Sequence, residues 1–480
     1  MRDDMRLVDE FMNVYYSAGR IGIGGQGMVL RTRDSDIALK LLLDSAGAPL
    51  ADPQARASAL ARLQRLRVLP LPPGLPLAGP VAALRDQAGY VMRLLDGMRS
   101  FEDVFASPLA ALADDVVPAW LGLVHAKNPR AAAQLADYAV TGSSRARLLQ
   151  LARCAAVLAR LHAAGVVYGD LSPSNVFTAG ATADSPVWLI DADNLHFDGD
   201  PTAANGFFTP GYGAPELVRG DAPPSLTTDC HAFAVLAFKL LCLVHPFIGR
   251  QVTEGGWDAA CDPYQQAARG ELPWIHDADD SNRADDGLAP SLTCSVPLQR
   301  LFQECFGPGR IAPWRRPAMA HWPAALAASA DCSIDCTGCG MSWFALEFAA
   351  CPYCQQPRPR LLRLESRQWP DTHSAAWTLL LPLDALQSPV ALPARLFQPF
   401  SPAGFDEPVL SLQAEEGGYR LRRTGAAGPQ LRIARANAHG GRFEALDNFH
   451  LDVSALAGEV AILAVGAPAR LVRLNFMEAM

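Results

Sequence analysis

Tyr168-Gly169-Asp170-Leu171-Ser172-Pro173-Ser174-Asn175, followed by Leu189-Ile190-Asp191-Ala192-Asp193, is the stretch that decides how this chain reads. In the first piece an Asp and an Asn five residues apart share a loop. Such a carboxylate can orient a hydroxyl nucleophile, and such an amide can hold a metal ion. In the second piece a carboxylate directly follows an apolar strand, a placement suited to a hard cation that bridges phosphates. Upstream, Ile21-Gly22-Ile23-Gly24-Gly25-Gln26-Gly27-Met28-Val29 fits G-x-G-x-x-G-x-V. Glycines in that pattern allow a tight loop whose backbone can come close to phosphates. A dinucleotide-binding fingerprint would need a helix straight after the last glycine, whereas an apolar strand pattern follows here. Lys40 lies in Ile37-Ala38-Leu39-Lys40, thirteen residues after Gly27. On an apolar strand a lysine either snorkels to water or faces an anion. Ala214-Pro215-Glu216 closes the segment 25 residues after Asp191. Each motif alone is an ordinary loop, but five in fixed order are not explained that way.

In this order the motifs resemble the eukaryotic-like protein kinase family, over about residues 17–325. The resemblance implies an α+β class, a bilobal protein-kinase-like fold, and ATP with Mg²⁺ as cofactors. It also implies transfer of the γ-phosphoryl group to Ser or Thr of a protein partner. By motif, Gly22, Gly24, Gly25 and Gly27 fall on the nucleotide-covering loop, and Val29 and Ala38 on the adenine pocket. Met92, in Tyr90-Val91-Met92, falls on the gatekeeper position. Lys40 corresponds to the phosphate-binding lysine, Asp170 to the catalytic base, and Asn175 and Asp191 to the Mg²⁺ ligands. Asp229 resembles the residue that braces the catalytic loop, and Arg316 the partner of Glu216 in a buried ion pair. Gly-Asp-Leu-x-Pro-Ser-Asn with Leu-Ile-Asp-x-Asp is similar to a bacterial Ser/Thr kinase subgroup. Members of that subgroup are associated with a metal-dependent phosphatase and a von Willebrand A-domain protein, which are the partners it implies.

The chain also departs from the family pattern. Tyr168-Gly169 stands where His-Arg usually precedes the catalytic Asp, so a phosphate on the segment after Asp191, at Thr202 or Thr209, lacks its usual anchor. Ala192-Asp193 replaces Phe-Gly, and Ser172 replaces a lysine. No Glu occurs from residue 45 to 87, so the usual Lys–Glu pair is unassigned, with Gln54 or Gln64 as partial substitutes. The retained Lys40, Asp170, Asn175 and Asp191 favour an active kinase. The other reading is a nucleotide-binding pseudokinase that acts as a regulatory scaffold.

Cys336-x2-Cys339 and Cys351-x2-Cys354 form a second constellation. Two such knuckles supply four thiolates to one tetrahedral ion, so a structural Zn²⁺ ribbon is expected, with an Fe–S cluster as the rival. Four cysteine ligands leave no open position for catalysis. About 30 residues bury little core, so the metal should supply the folding energy.

The chain has 480 residues, a formal charge of -8, 50% hydrophobic and 19% charged residues. That balance excludes a mostly disordered chain and argues against nucleic-acid binding. No apolar run reaches membrane-spanning length and the charged start lacks a signal core, so a cytoplasmic location is expected. The expected layout is a first lobe over 1–95 and a second over 96–328, with an insertion near 122–143. A zinc ribbon over 331–360 and a small all-β domain over 361–480 follow. Helices are expected over 53–67, capped by Asp52, and over 144–164 and 228–243. The stretch from His125 to Thr141 reads as an extra surface helix or loop. Arg420, Arg422, Arg423, Arg432 and Arg435 recur on the last strands; they could serve a phosphopeptide-binding sandwich, although arginines on strand faces are more often only solvated.

Overall fold

The computed structural model describes residues 5–23, 27–105, 117–200, 208–255, 262–278, 282–371, 376–398, 406–425, 429–435, 443–452, 460–466 and 468–479. Gly24, Gly25 and Thr202 therefore lie outside the described residues. The chain forms two compact units, each made of separate stretches. The first takes Met1–Pro108, Arg153–Gly287 and Arg300–Ala320; the second takes Leu109–Ala152, Leu288–Gln299 and His321–Met480.

In the first unit, strands β1 (Arg6–Val8), β2 (Val14–Ile23), β3 (Gly27–Thr32) and β4 (Ile37–Leu42) are followed by helix α1 (Pro53–Arg67), β5 (Ala82–Ala83) and β6 (Gly89–Arg93). The strands form one sheet in the order β1-β2-β3-β4-β6-β5. Side chains alternate between faces along each strand, and that alternation sorts this sheet. Met28, Leu30, Leu39, Leu41 and Val91 join Leu7, Tyr15 and Leu84 in one apolar cluster. The register pairs Val29 with Lys40, Lys40 with Tyr90, and Ala38 with Met92. These five therefore share the opposite face. α1 begins as the sequence implies: the Asp52 carboxylate accepts from the Ala55 amide at 2.7 Å, and Pro53 opens the first turn. Only Leu63 and Leu66 of α1 are buried. The Pro-rich stretch after it is irregular, but it is pinned: Ala78 N–H donates to Leu189 O at 2.8 Å and Leu189 N–H to Pro76 O at 2.9 Å. The helix Leu226–Cys242 carries an almost wholly buried apolar face behind a Ser225 capping box.

In the second unit, the described residues from 361 onward form strands and two short 3₁₀ turns, Leu383–Gln387 and Ala394–Leu396. A six-stranded sheet contains Leu361–Gln368 at its interior, and a four-stranded sheet contains Pro408–Glu415 and Gly418–Arg423. Tyr419 and Phe476 meet between the two sheets, ring centroids 5.3 Å apart. The stretch from His125 to Thr141 is more than a surface addition. It forms helices Gly122–Lys127 and Pro129–Val140, and Ala132, Ala133 and Tyr138 of the second are buried. Gly340 packs against this stretch: a Cβ there would stand in ordinary contact, 3.6 Å from Ala139 O. Ser143 Oγ accepts from the Ser342 amide at 2.8 Å, and Trp120 stands edge-on to Tyr353. The cysteine-bearing stretch is thus seated on residues 120–143. Among the described residues, no helix is long and apolar enough to cross a membrane.

Candidate functional site

Lys40, Tyr90 and the turn at Asp191–Asn194 build the centre of the site. Lys40 and Tyr90 are cross-strand partners, so the ammonium and the phenol hydroxyl leave the sheet side by side. Gly27 keeps space for the lysine, since a Cβ there would lie 2.7 Å from Lys40 Cε. Asp191 adopts the left-handed backbone conformation, with φ 54°, which Asp tolerates better than most residues. A short 3₁₀ turn, Ala192–Asn194, follows it. Both carboxylates then face the lysine: Lys40 Nζ donates to Asp191 and, at 2.7 Å, to Asp193 Oδ2. The Tyr90 hydroxyl donates to the other oxygen of Asp193. Burial works to lower the Lys40 pKa, but the carboxylates of Asp193 and Asp191 outweigh it and hold the lysine above its ordinary value. Burial raises the Asp191 carboxyl, with Lys40 opposing and Asp193 reinforcing the rise.

The loop Tyr168–Asn175 reaches the same place from below. Asp229, on the helix Leu226–Cys242, accepts from the amides of Tyr168 at 2.6 Å and Gly169 at 2.9 Å, and from His162 at 3.1 Å. Gly169 has φ 89°, which a side chain would strain. Asn175 Nδ2 donates to Asp170 O at 2.8 Å, and the Ile190 amide donates to Asn175 O at 3.1 Å. The Tyr168 hydroxyl donates to Ile190 O. The two motifs that open the sequence reading are therefore laced together. Asp170 Oδ1 accepts from the amide and the hydroxyl of Thr209, each at 2.9 Å. Arg316 holds Glu216 through two hydrogen bonds of 2.6 and 2.8 Å, both partners buried. Of the positions expected to line a nucleotide pocket, Val29, Ala38 and Met92 share the Lys40 face, whereas Gly22 lies on the irregular end of β2.

The structure corrects one expectation. Gln54 and Gln64 do not stand in for the missing Glu, because both are exposed on α1. Asp193 has that lysine contact, and sequence reading missed it along with Tyr90. A signal was present: a lysine on an apolar strand with no Glu nearby must find its carboxylate elsewhere, and Asp-x-Asp offered a second one.

No protein-family profile matches the chain. Partial relatives do exist. The chain is 33% identical over 87 residues to calcium/calmodulin-dependent protein kinase type 1B of human and of rat, covering 18% of this chain and 25% of theirs. It is 36% identical over 100 residues to serine/threonine-protein kinase PkaB of Streptomyces coelicolor, covering 19% and 24%. The matches thus span about a quarter of the length of these curated relatives. The chain shares a partial, distant homology with protein kinases.

A separate candidate metal centre lies in the second unit. One sulfur from each of Cys336, Cys339, Cys351 and Cys354 lies within 4.8 Å of the others. The Sγ pairs Cys336–Cys354 and Cys339–Cys351 are 3.5 and 3.7 Å apart. Tetrahedral Zn–S bonds of about 2.3 Å place sulfurs about 3.8 Å apart, so the donor set and spacing fit that ion. Cys332 is not part of the set; its sulfur lies 3.6 Å from Thr378 O.

Proposed function

We propose that the chain is an ATP- and Mg²⁺-dependent protein kinase that phosphorylates Ser or Thr of a protein partner, built on a bilobal kinase-like fold. The observation that carries this reading is the convergence of Lys40 and Asp191 beside the laced loop that bears Asp170 and Asn175. Lys40 would pair with the nucleotide's phosphates, and Asp191 and Asn175 would hold Mg²⁺. The bound ion would supply charge neutralisation on the phosphate oxygens. Asp170 would orient the acceptor hydroxyl: its oxygen attacks Pγ, the bridging P–O bond to the β-phosphate breaks, ADP leaves, and the hydroxyl proton passes to the Asp170 carboxylate. Most of the rate would come from positioning and electrostatics.

One observation also favours a non-catalytic nucleotide binder. Ser172, at the position of the family's lysine, is buried, and its hydroxyl lies 2.9 Å from Ser174 Oγ, so it offers no positive charge to a transferring phosphate. A radiolabel assay with γ-labelled ATP separates the readings. The wild type should label itself or a protein acceptor, and Asp170→Asn should lose at least about 100-fold of that signal. Equal label from both proteins defeats the kinase reading. Mg-ATP binding with no label on any acceptor establishes the scaffold instead. The set of four cysteines is proposed to hold a structural Zn²⁺.

A further inference from the structure

We propose that Asp193 is the positioning residue for Lys40, taking the place that a helix-borne acid would otherwise fill. This deepens the nucleotide-site reading above and rests on it.

Three observations carry the inference. First, the lysine needs a permanent partner. Its side chain is 6% exposed, and a buried ammonium without a counter-charge is strongly disfavoured. Asp191 cannot serve throughout, because a carboxylate that turns to a metal ion loosens its hold on the lysine. Second, Asp193 is built for this one task. Its side chain has no exposure, whereas that of Asp191 is 21% exposed. One oxygen of Asp193 takes Lys40 and the other takes the Tyr90 hydroxyl. Both oxygens face protein donors, so Asp193 is a poor second metal ligand despite the Asp-x-Asp spacing. Third, α1 offers no substitute. Pro53–Arg67 contains no Asp or Glu, and its two glutamines are exposed.

The consequence concerns control. The lysine anchor and the proposed metal ligand sit two residues apart on one turn, fixed by the left-handed Asp191. A shift of α1 can neither make nor break the lysine's ion pair. A rearrangement of residues 191–194 would remove both functions together.

The test uses the full chain and two readouts that do not need phosphoryl transfer. One is labelling of Lys40 by an adenosine-based sulfonyl fluoride, read by intact mass and peptide mapping. The other is Mg-ATP affinity by titration. Asp193→Asn keeps the size of the side chain and removes its charge. It should weaken Mg-ATP by about tenfold or more and change the rate of Lys40 labelling, since the lysine both loses its fixed position and gives up its proton more readily. Turnover, where the wild type shows it, should fall by about 100-fold, the scale expected of a misplaced reacting group. Gln64→Ala, on exposed α1, should leave both binding readouts unchanged. Unchanged labelling and affinity in folded Asp193→Asn would overturn the inference, as would a comparable loss in Gln64→Ala. If Asp193→Asn does not fold, Tyr90→Phe decides. It leaves every charge in place but frees one Asp193 oxygen, and a several-fold loss supports the anchor while none refutes it. A wild type that binds Mg-ATP and labels at Lys40 without transferring phosphate defeats the kinase reading alone.

Discussion

Gly27 shows how a single missing methyl can organise a charged site. It sits on β3 across from Leu42, and the lysine stem occupies the space its Cβ would fill. Gly27→Ala places that carbon 2.7 Å from Lys40 Cε and 3.0 Å from Leu41 O. The backbone oxygen cannot yield as the side chain can, so the lysine must swing away from its carboxylates. Mg-ATP affinity should fall several-fold with little change in the thermal midpoint, as followed by titration and calorimetry; an affinity equal to wild type would contradict this. The residues that read most clearly from sequence were those whose chemistry is local. Lys40, Asp170, Asn175 and Asp191 each sit in a short run with its own spacing. Asp193 and Tyr90 were harder to read, because their role exists only where β6 meets a turn about a hundred residues later.

Elements explain why those residues stay in place. The helix Pro215–Arg219 is tied to the turn Pro313–Arg315 and its next residue by the Glu216–Arg316 pair. Arg316 also donates to Gly309 O at 2.8 Å and to Thr227 O at 3.0 Å. Arg316→Met leaves a carboxylate buried without its counter-charge, so the first unit should lose about 3–5 kcal/mol in a denaturant titration. Adding Glu216→Gln should return part of that loss, since the orphaned charge disappears. A loss below about 1 kcal/mol in the single variant would show the pair to be ornamental. Helix positions were legible because caps and apolar runs are local signals: α1 starts at its Asp52 cap, and the apolar run over 228–243 marks the helix Leu226–Cys242, whose Ser225 capping box the sequence reading did not pick out. The strand Leu361–Gln368 was not legible. Its charges at Arg363, Glu365 and Arg367 hide an inward row of Leu362, Leu364 and Ser366, and its partners on either side are Trp377–Pro382 and the distant Arg470–Met477. Ser366 is buried, and Arg470, about a hundred residues on, donates to its hydroxyl at 2.9 Å.

At the scale of the molecule, the four cysteines belong to a unit rather than to a free module. Cys336–Cys354 sits on the 120–143 helices, so removing the ion should be felt there too. Elemental analysis should find one zinc per chain, and a strong chelator should lower the melting temperature of the second unit by several degrees while Mg-ATP binding persists. Cys351→Ser should mimic the chelator. A metal-free chain with an unchanged melting curve would show that the four sulfurs hold nothing structural. The role of residues 120–143 was not readable from sequence, because Ala132, Ala133 and Ala139 look like any helix surface until Gly340 and Ser342 are seen to arrive.

The second unit is stitched from Leu109–Ala152, Leu288–Gln299 and His321–Met480. A ribosome makes those pieces in that order and far apart in time. The apolar faces of the first two must wait for the last third of the chain before they can be covered. The first unit is likewise unfinished until Ala320 has been made. Because pieces of each unit are separated by pieces of the other, the order of synthesis and the order of assembly run out of step.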